Sequence, residues 1–241
     1  MSRLFGAHAV GDVLAAHPEA IRTILHGPQP DRDAARVIEA ARAAGIPTRQ
    51  AAAAELQEHA GGRGGVSIAA DIAIASVPTL ESLAPTGVVV ALDQVTDPHN
   101  LGAILRSCAA FGATAVIVPK DHAAPLNDAA IRASAGAAAI VPVVRVTNLA
   151  RTLGDLHEQG FWACALAAHD ATPLWSTDLA SMPLVLVLGA EGSGLRPLVR
   201  RSCQLAVTIP TDGRIRSLNV SVAAGIVLGE VARQRHATVP R

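Results

Sequence analysis

From Val88 onward, short apolar runs rich in β-branched residues alternate with longer stretches of helical character. The runs are Val88–Leu92, Ala115–Val118, Val141–Val146, Trp162–Leu166, Leu184–Leu188 and Leu205–Ile209. They are continuous rather than alternating, which marks strands buried on both faces and hence a parallel sheet covered by helices. Leu101–Phe111, Leu126–Ser134, Leu149–Gln159, Leu195–Ser202 and Val220–Arg235 supply the helices, with Asn148 placed to cap the third. An α/β fold follows. In open sheets of this kind, ligands bind beyond the carboxyl ends of the strands.

The first 75 residues form a smaller pattern of their own. Ala7–Ala16 and Asp31–Ala44 read as helices, and Ile21–Leu25, Ile46–Arg49 and Ser67–Ala75 as strands. Gly61-Gly62-Arg63-Gly64-Gly65 is a loop before the last of these. Residues 76–87, with two prolines, small polar residues and a glycine, read as a linker. The expected organisation is a small α/β unit over 1–75, the linker, and a larger unit over 88–241.

Half of the residues are hydrophobic, yet only 2% are aromatic and none is Tyr. The core is therefore aliphatic, and a base-stacking platform of the RNA-recognition-motif kind has no material to be built from. Twenty basic and twenty acidic residues cancel, so net charge does not announce a nucleic acid. One local excess stands out: Arg196, Arg200, Arg201, Arg214 and Arg216 face only Glu191 and Asp212 between 191 and 216. It suits either phosphate or a solvated surface. Cys108, Cys164 and Cys203 are far apart and show no metal-ligand spacing, so neither zinc nor a disulfide framework is indicated. With no membrane-length apolar run and no cleavable leader, a cytoplasmic protein without membrane contact is expected.

Three polar segments each follow or precede an apolar run. Asp97-Pro98-His99-Asn100-Leu101-Gly102-Ala103 is followed by Arg106; Gly189-Ala190-Glu191-Gly192-Ser193-Gly194 follows a strand; Ser217-Leu218-Asn219 opens the last helix. The glycine loop lacks the dinucleotide spacing and the lysine of a P-loop, leaving a turn whose backbone can approach a ligand closely. Singly, Asn100 reads as a helix cap, Arg106 as a surface ion-pair partner and His99 as a loop residue. Asp93 and Asp97 have no carboxylate partner at metal-ligand spacing.

Together, in this order, the three segments resemble the motifs of the SpoU/TrmH class of RNA ribose 2′-O-methyltransferases. The resemblance covers about Val88 to Arg235. Val116-Ile117-Val118-Pro119-Lys120-Asp121, Arg145 to Thr152 and the opening Leu4-Phe5-Gly6-Ala7-His8-Ala9-Val10 are similar to the members that methylate a guanosine of 23S rRNA. The chain departs from the family in having Gly64-Gly65-Val66-Ser67 before the last strand of the first unit, and Arg214 and Arg216 before the third motif.

The resemblance implies a catalytic domain tied into a C-terminal trefoil knot, preceded by an L7Ae-like α/β/α unit that binds RNA. It implies S-adenosylmethionine as cofactor without a metal, held by Leu188, Gly189, Ile209 and Leu218. Asn100, Arg106, Glu191, Ser217 and Asn219 become the catalytic cluster. A guanidinium is a poor base at neutral pH, so Arg106 is expected to bind phosphate and stabilise an alkoxide, oriented by Glu191. The partners implied are 23S rRNA, in the free state or in a ribosome assembly intermediate, and a second copy of the chain. Val220, Ala223, Ala224, Ile226, Val227 and Val231 make the last helix more apolar than one buried face requires. A tRNA or other rRNA substrate, a non-catalytic RNA-binding assembly factor and a nucleotide-dependent oxidoreductase remain as alternatives.

Overall fold

The computed structural model describes residues 2–58, 66–75, 80–214 and 217–237. The glycine loop at 61–65 and Arg216 lie outside them.

The first part of the chain runs β1 (Ser2–Phe5), α1 (Ala7–Ala16), β2 (Ile21–His26), α2 (Arg32–Ala43), β3 (Thr48–Gln50), α3 (Ala53–Glu58) and β4 (Ile68–Ile72). Its four strands lie in the order β1-β4-β2-β3, with β4 antiparallel to both neighbours and β3 parallel to β2. Asp31 caps α2 by accepting from the amides of Asp33 and Ala34. Neither β1 nor α3 was legible as an element, both being too short to show a period. The strand expected over 67–75 closes early, at Ile72.

The second part runs β5 (Val88–Asp93), α4 (Pro98–Phe111), β6 (Ala113–Pro119), α5 (Asp128–Ala133), β7 (Val143–Val146), α6 (Leu149–Glu158), β8 (Trp162–Leu166), β9 (Thr172–Pro173), β10 (Leu184–Gly189), α7 (Pro197–Arg201), β11 (Leu205–Thr208) and α8 (Val220–Ala237). Seven strands form one sheet in the order β7-β6-β5-β10-β8-β11-β9, every pair parallel. All six expected strands are present; the two-residue β9 was not foreseen.

Alternate residues of each strand enter different layers, as the two-residue period of a strand requires. Val88, Val90, Leu92, Val116, Leu186 and Leu188 pack with Leu101, Ile104, Leu105 and Val227 of α4 and α8. Val89, Ala91, Ile117, Val185 and Val187 pack with Leu149, Leu153, Leu156 and Val199 of α6 and α7. Both faces are covered, which is why the strands read as unbroken apolar runs.

The two sheets share a core. Leu4, Val10 and Val13 of the first part belong to the same apolar cluster as Ala137, Ala138 and the α4–α8 layer. Gly136, in a left-handed turn at φ 98°, lies so close that a Cβ there would meet a Val13 methyl at 2.5 Å. Within the stretch read as a linker, Leu83 is buried against the α6–α7 layer. No helix among the described residues is long and apolar enough to cross a membrane.

Helix α8 lies parallel to α4, both starting at the carboxyl edge of the sheet. Gly225 faces Ser107, and Gly229 faces the Phe111 ring; two small residues one turn apart let the helices approach. Of the residues that make α8 so apolar, Val220, Ala223, Ala224, Val227 and Val231 are buried within their own chain. Only Ile226 stays half-buried, beside an exposed Val222. The excess of apolar residues on this helix is thus absorbed largely by its own sheet and by α4.

Candidate active site

Three segments far apart in the chain meet at the carboxyl ends of β5 and β10. Asp97 caps α4, its side chain accepting from the His99 amide at 2.9 Å. Pro98 takes the first helical position, where its missing N–H leaves no bond unmade. Asn100 is thereby fixed in the first turn. β10 ends at Gly189 and the chain folds back immediately, Ala190 and Gly194 exchanging backbone hydrogen bonds of 3.2 and 2.9 Å. A Cβ at Gly189 would lie 2.2 Å from the carbonyl carbon of Gly194, so only glycine fits. This turn presents Glu191. Asn219 caps α8: its Oδ1 accepts from the Ser221 amide at 2.9 Å, the Val222 amide at 3.4 Å and the Ser221 hydroxyl at 2.6 Å.

Glu191, Asn100 and Asn219 form one network. The Asn219 Nδ2 donates to Glu191 Oε1 at 2.6 Å and to Asn100 Oδ1 at 2.9 Å. Asn100 Nδ2 and the Val220 amide each donate to the same Glu191 oxygen at 3.3 Å. Oε1 is therefore saturated, whereas Oε2 has no donor among the described residues and is available to a ligand. The carboxylate sits where α4 and α8 begin side by side, so the positive ends of two helix dipoles face it.

Two expected members of the cluster stand apart. Arg106 is exposed, about 9 Å along the α4 axis from Asn100, and has no ion pair or hydrogen bond among the described residues. The expected Glu191–Arg106 bond is absent. Glu191 is instead held by Asn100, Asn219 and the Val220 amide at the starts of the two helices. Ser217 is exposed and makes no hydrogen bond to a described residue. Arg214, beside the third motif, bonds Asp212 at 2.8 Å and is otherwise exposed.

Sequence reasoning overlooked a pair that holds the glycine turn in place. Asp93, the last residue of β5, is fully buried. Its Oδ2 accepts from the Arg196 amide at 2.8 Å, and its Oδ1 from Arg196 Nε and Nη2, both at 2.7 Å. The bond straps the far end of the turn, two residues past Gly194, to the neighbouring strand. It also explains why α7 begins at Pro197 rather than at Leu195. A lone carboxylate at the end of a wholly apolar strand was the available signal: a buried charge needs a partner, and Arg196 is the first cation after the turn.

The residues expected to hold a cofactor line the same edge. Leu188 is buried, and Gly189, Ile209 and Leu218 are half-buried at the ends of β10 and β11 and before α8. The amides of Gly192, Ser193 and Leu218 have no partner among the described residues. An apolar wall with free amides and a turn without side chains fits a nucleoside-like ligand bound mainly through backbone groups. The cysteines play no part here. Burial pushes the thiols of Cys108 and Cys164 up to about 12 and that of Cys203 up to about 11, leaving them inert. Among the described residues, no three His, Cys, Asp or Glu side chains gather as a metal site would require.

Residues 87–229, which contain all three converging segments, match the SpoU rRNA Methylase family. The chain belongs to this family. Over 240 residues it is 40% identical to the 23S rRNA (guanosine-2′-O-)-methyltransferase RlmB of Vibrio parahaemolyticus, covering 96% of each chain. It is 41% identical to the RlmB of Pseudomonas aeruginosa over 240 residues, covering 97% of this chain and 96% of the relative. Among solved structures, the SpoU methyltransferase AviRb from Streptomyces viridochromogenes in complex with AdoMet superposes with a TM-score of 0.77 at 25% identity, covering 98% of this chain and 90% of AviRb. An AdoMet-bound rRNA methyltransferase from Sinorhizobium meliloti gives a TM-score of 0.75 at 25% identity, covering 99% and 88%.

Proposed function

We propose that this SpoU family member transfers a methyl group from S-adenosylmethionine to the ribose 2′-oxygen of a guanosine in 23S rRNA. The observation that carries this reading is the Asn100–Glu191–Asn219 network, built from all three motifs beside a glycine turn with free amides. Near-full-length similarity to RlmB enzymes supports 23S rRNA as the substrate, and AdoMet-bound neighbours support the cofactor.

S-adenosylmethionine supplies a methyl group on a sulfonium, a leaving group that departs without acid assistance. The protein's task is to align the ribose oxygen and favour loss of its proton to solvent water. Leu188, Gly189, Ile209 and Leu218 hold the cofactor. Asn100 and Asn219 are locked by Glu191, so the cluster needs no reorganisation when substrate arrives. Oε2 of Glu191, without a donor among the described residues, accepts a hydrogen bond from the bound RNA. The paired starts of α4 and α8 favour negative charge at the ribose oxygen. Arg106, without a partner among the described residues, meets phosphate and the developing alkoxide, and Ser217 donates to the same substrate.

Residues 1–75 serve as the RNA-binding unit, and the chain between β10 and α8 passes through a trefoil knot. The return of residues 217–219 to the ends of β5 and β10, after β11 has been laid down beyond β8, supports such threading. A two-fold homodimer through Val222 and Ile226 is the assembly expected, with active sites near the interface; sedimentation as a fully active monomer at micromolar concentration rules it out.

The decisive test is methyl incorporation from labelled S-adenosylmethionine into purified 23S rRNA and tRNA, with mapping of the modified ribose. A single 2′-O-methylguanosine in 23S rRNA is expected. Modification of tRNA alone reassigns the substrate within the family, and cofactor binding without transfer to any RNA rejects the enzymatic reading.

A further inference from the structure

A second concave surface lies along the same sheet edge, on the side away from Ile209. It is a groove of about 690 Å³ over the ends of β6 and β7. Its floor is apolar, from Pro119, Leu149 and Val199, and its walls are the 121–122 and 147–148 loops on one side and α7 on the other. Arg196 and Arg201 line the α7 wall. Nε and Nη2 of Arg196 are engaged by Asp93, but 43% of its side chain remains exposed. Arg201 is exposed and has no partner among the described residues. Opposite them stand His122 and Asn148, whose Oδ1 is used in capping α6 while its Nδ2 is free to donate. Asp121 is the one acidic residue in the lining. Leu198 at the rim is 64% exposed, an apolar surface next to cations.

Cations beside an exposed apolar surface suit a polyanion with apolar faces. The groove does not stand alone. Arg196 belongs both to it and to the strap that holds the Glu191 turn, and about two to three strand spacings, roughly 12 Å, separate its centre from the end of β10. Along the edge, the order is groove, catalytic network, cofactor loops.

We propose that this groove holds the phosphodiester backbone of the RNA next to the nucleotide being methylated, with Arg201 contacting phosphate and Leu198 lying against a sugar or base face. The proposal rests on the methyltransferase reading and extends it to how the substrate is laid across the site. Arg196 belongs to the strap through its bond to Asp93, so the phosphate contact is assigned to Arg201 alone.

Arg201→Gln, Arg201→Lys and Arg201→Glu test it, with Arg196 left intact to preserve the turn. Two measurements are made on each: anisotropy with a fluorescein-labelled 20-nucleotide RNA from 50 to 300 mM KCl, and steady-state methylation of purified 23S rRNA. Removing one phosphate contact makes the slope of log K against log salt shallower by about 0.7–0.9. Arg201→Gln is therefore expected to weaken RNA binding several-fold with that change of slope. It should raise KM for RNA with kcat unchanged, and leave S-adenosylmethionine affinity untouched. Arg201→Lys keeps the charge and should retain the slope, while Arg201→Glu should weaken binding most. Unchanged slope and KM in Arg201→Gln and Arg201→Glu overturn the groove. The anisotropy arm needs no turnover, so a wild-type protein that binds RNA with the Arg201-dependent slope yet methylates none rejects the enzymatic reading and not the groove.

Discussion

The two ends of α8 carry hydrogen-bond networks of similar composition and opposite purpose. At its start, Asn219 joins Glu191 and Asn100, residues 28 and 119 positions away, and the cluster opens to solvent with one carboxylate oxygen lacking a donor among the described residues. At its end, Glu230 is buried and accepts from Arg233 Nε and Nη2 at 2.8 and 2.7 Å and from Gln234 at 2.9 Å. Gln234 also ties the helix to the Thr177 carbonyl and the Leu179 amide, and Arg235 donates to the carbonyls of Gly87 and Met182. The second network is built from one turn of helix and the backbone it fastens. The first gathers three remote segments and leaves a group free. Carboxylate and amide side chains alone do not mark a site; remote convergence with an unfilled acceptor does.

The contrast is tested most severely by removing charge at the start. Glu191→Gln keeps the shape of the network while removing its charge, and Arg106→Ala removes the exposed cation of α4. Each is expected to lower single-turnover methylation by about 10²–10³, the usual loss for one preorganised electrostatic group, while melting temperature and cofactor affinity hold. Arg106→Lys should recover only a small part, since an ammonium cannot reproduce a bidentate fork. A rate plateau in pH that moves on Lys substitution restores a base role for position 106. Unchanged turnover in Glu191→Gln reduces the network to a helix cap.

Next in size is the turn that presents Glu191. Gly189→Ala would place a methyl against the backbone of Gly194 and Leu195, at 2.2 and 2.5 Å, with no flexible side chain to yield. Overpacking of this kind costs about 1–3 kcal/mol, which at this position is expected to appear as roughly 5- to 100-fold weaker S-adenosylmethionine binding by calorimetry. Unaltered affinity removes Gly189 from the cofactor wall.

The parallel sheet was legible because strands covered on both faces must be apolar throughout, as Val88–Leu92 and Leu184–Leu188 are. Asn100, Glu191 and Asn219 were legible only as motifs in a family order. Nothing in their spacing states that α4 and α8 start side by side, since that depends on β10 pairing with β5, nearly a hundred residues earlier in the chain. The strap between Asp93 and Arg196 was missed because a strand-end carboxylate is ordinarily solvated. The expected link from Glu191 to Arg106 is not formed, because the amides at the starts of α4 and α8 take the Glu191 carboxylate. The apolar character of α8, read as a surface for a second chain, is used mainly inside this one: Val227 and Val231 face its own sheet.

At the far end of α8, the expectation is for stability rather than rate. The hydrogen bonds from Arg233 outweigh the cost of burial and hold the Glu230 carboxyl down at about 2, from an ordinary 4.5. A lowered folded-state value means stabilisation present above pH 4.5 and lost as pH falls from there toward 2. Arg233 is largely exposed, so solvent screens the pair, and its loss should lower the melting temperature by no more than about 2–4 °C for a chain of this size. Glu230→Gln should melt lower at pH 7 by that amount and lose part of the acid dependence below 4.5, with kcat unchanged at 25 °C. A fall in kcat with no thermal change would invert the contrast between the two ends.

The smallest effect belongs to the middle of the helix, where neither network reaches. Gly225 is a helical residue whose added Cβ would lie 3.5 Å from Ser107 Oγ, an ordinary contact. Glycine in a helix interior costs about 0.5–1 kcal/mol relative to alanine through the entropy of the unfolded chain. Gly225→Ala should therefore raise the melting temperature by about 1–4 °C and leave methylation unchanged. Gly229, where a Cβ would come within 3.4 Å of the Phe111 ring, should gain less, because the ring must give way slightly. Destabilisation by Gly225→Ala means that α4 and α8 lie closer than the Ser107 contact implies. Lost activity at unchanged stability means that the body of α8 transmits between its ends, and that the start of the helix does not work as a site fixed by its own three segments.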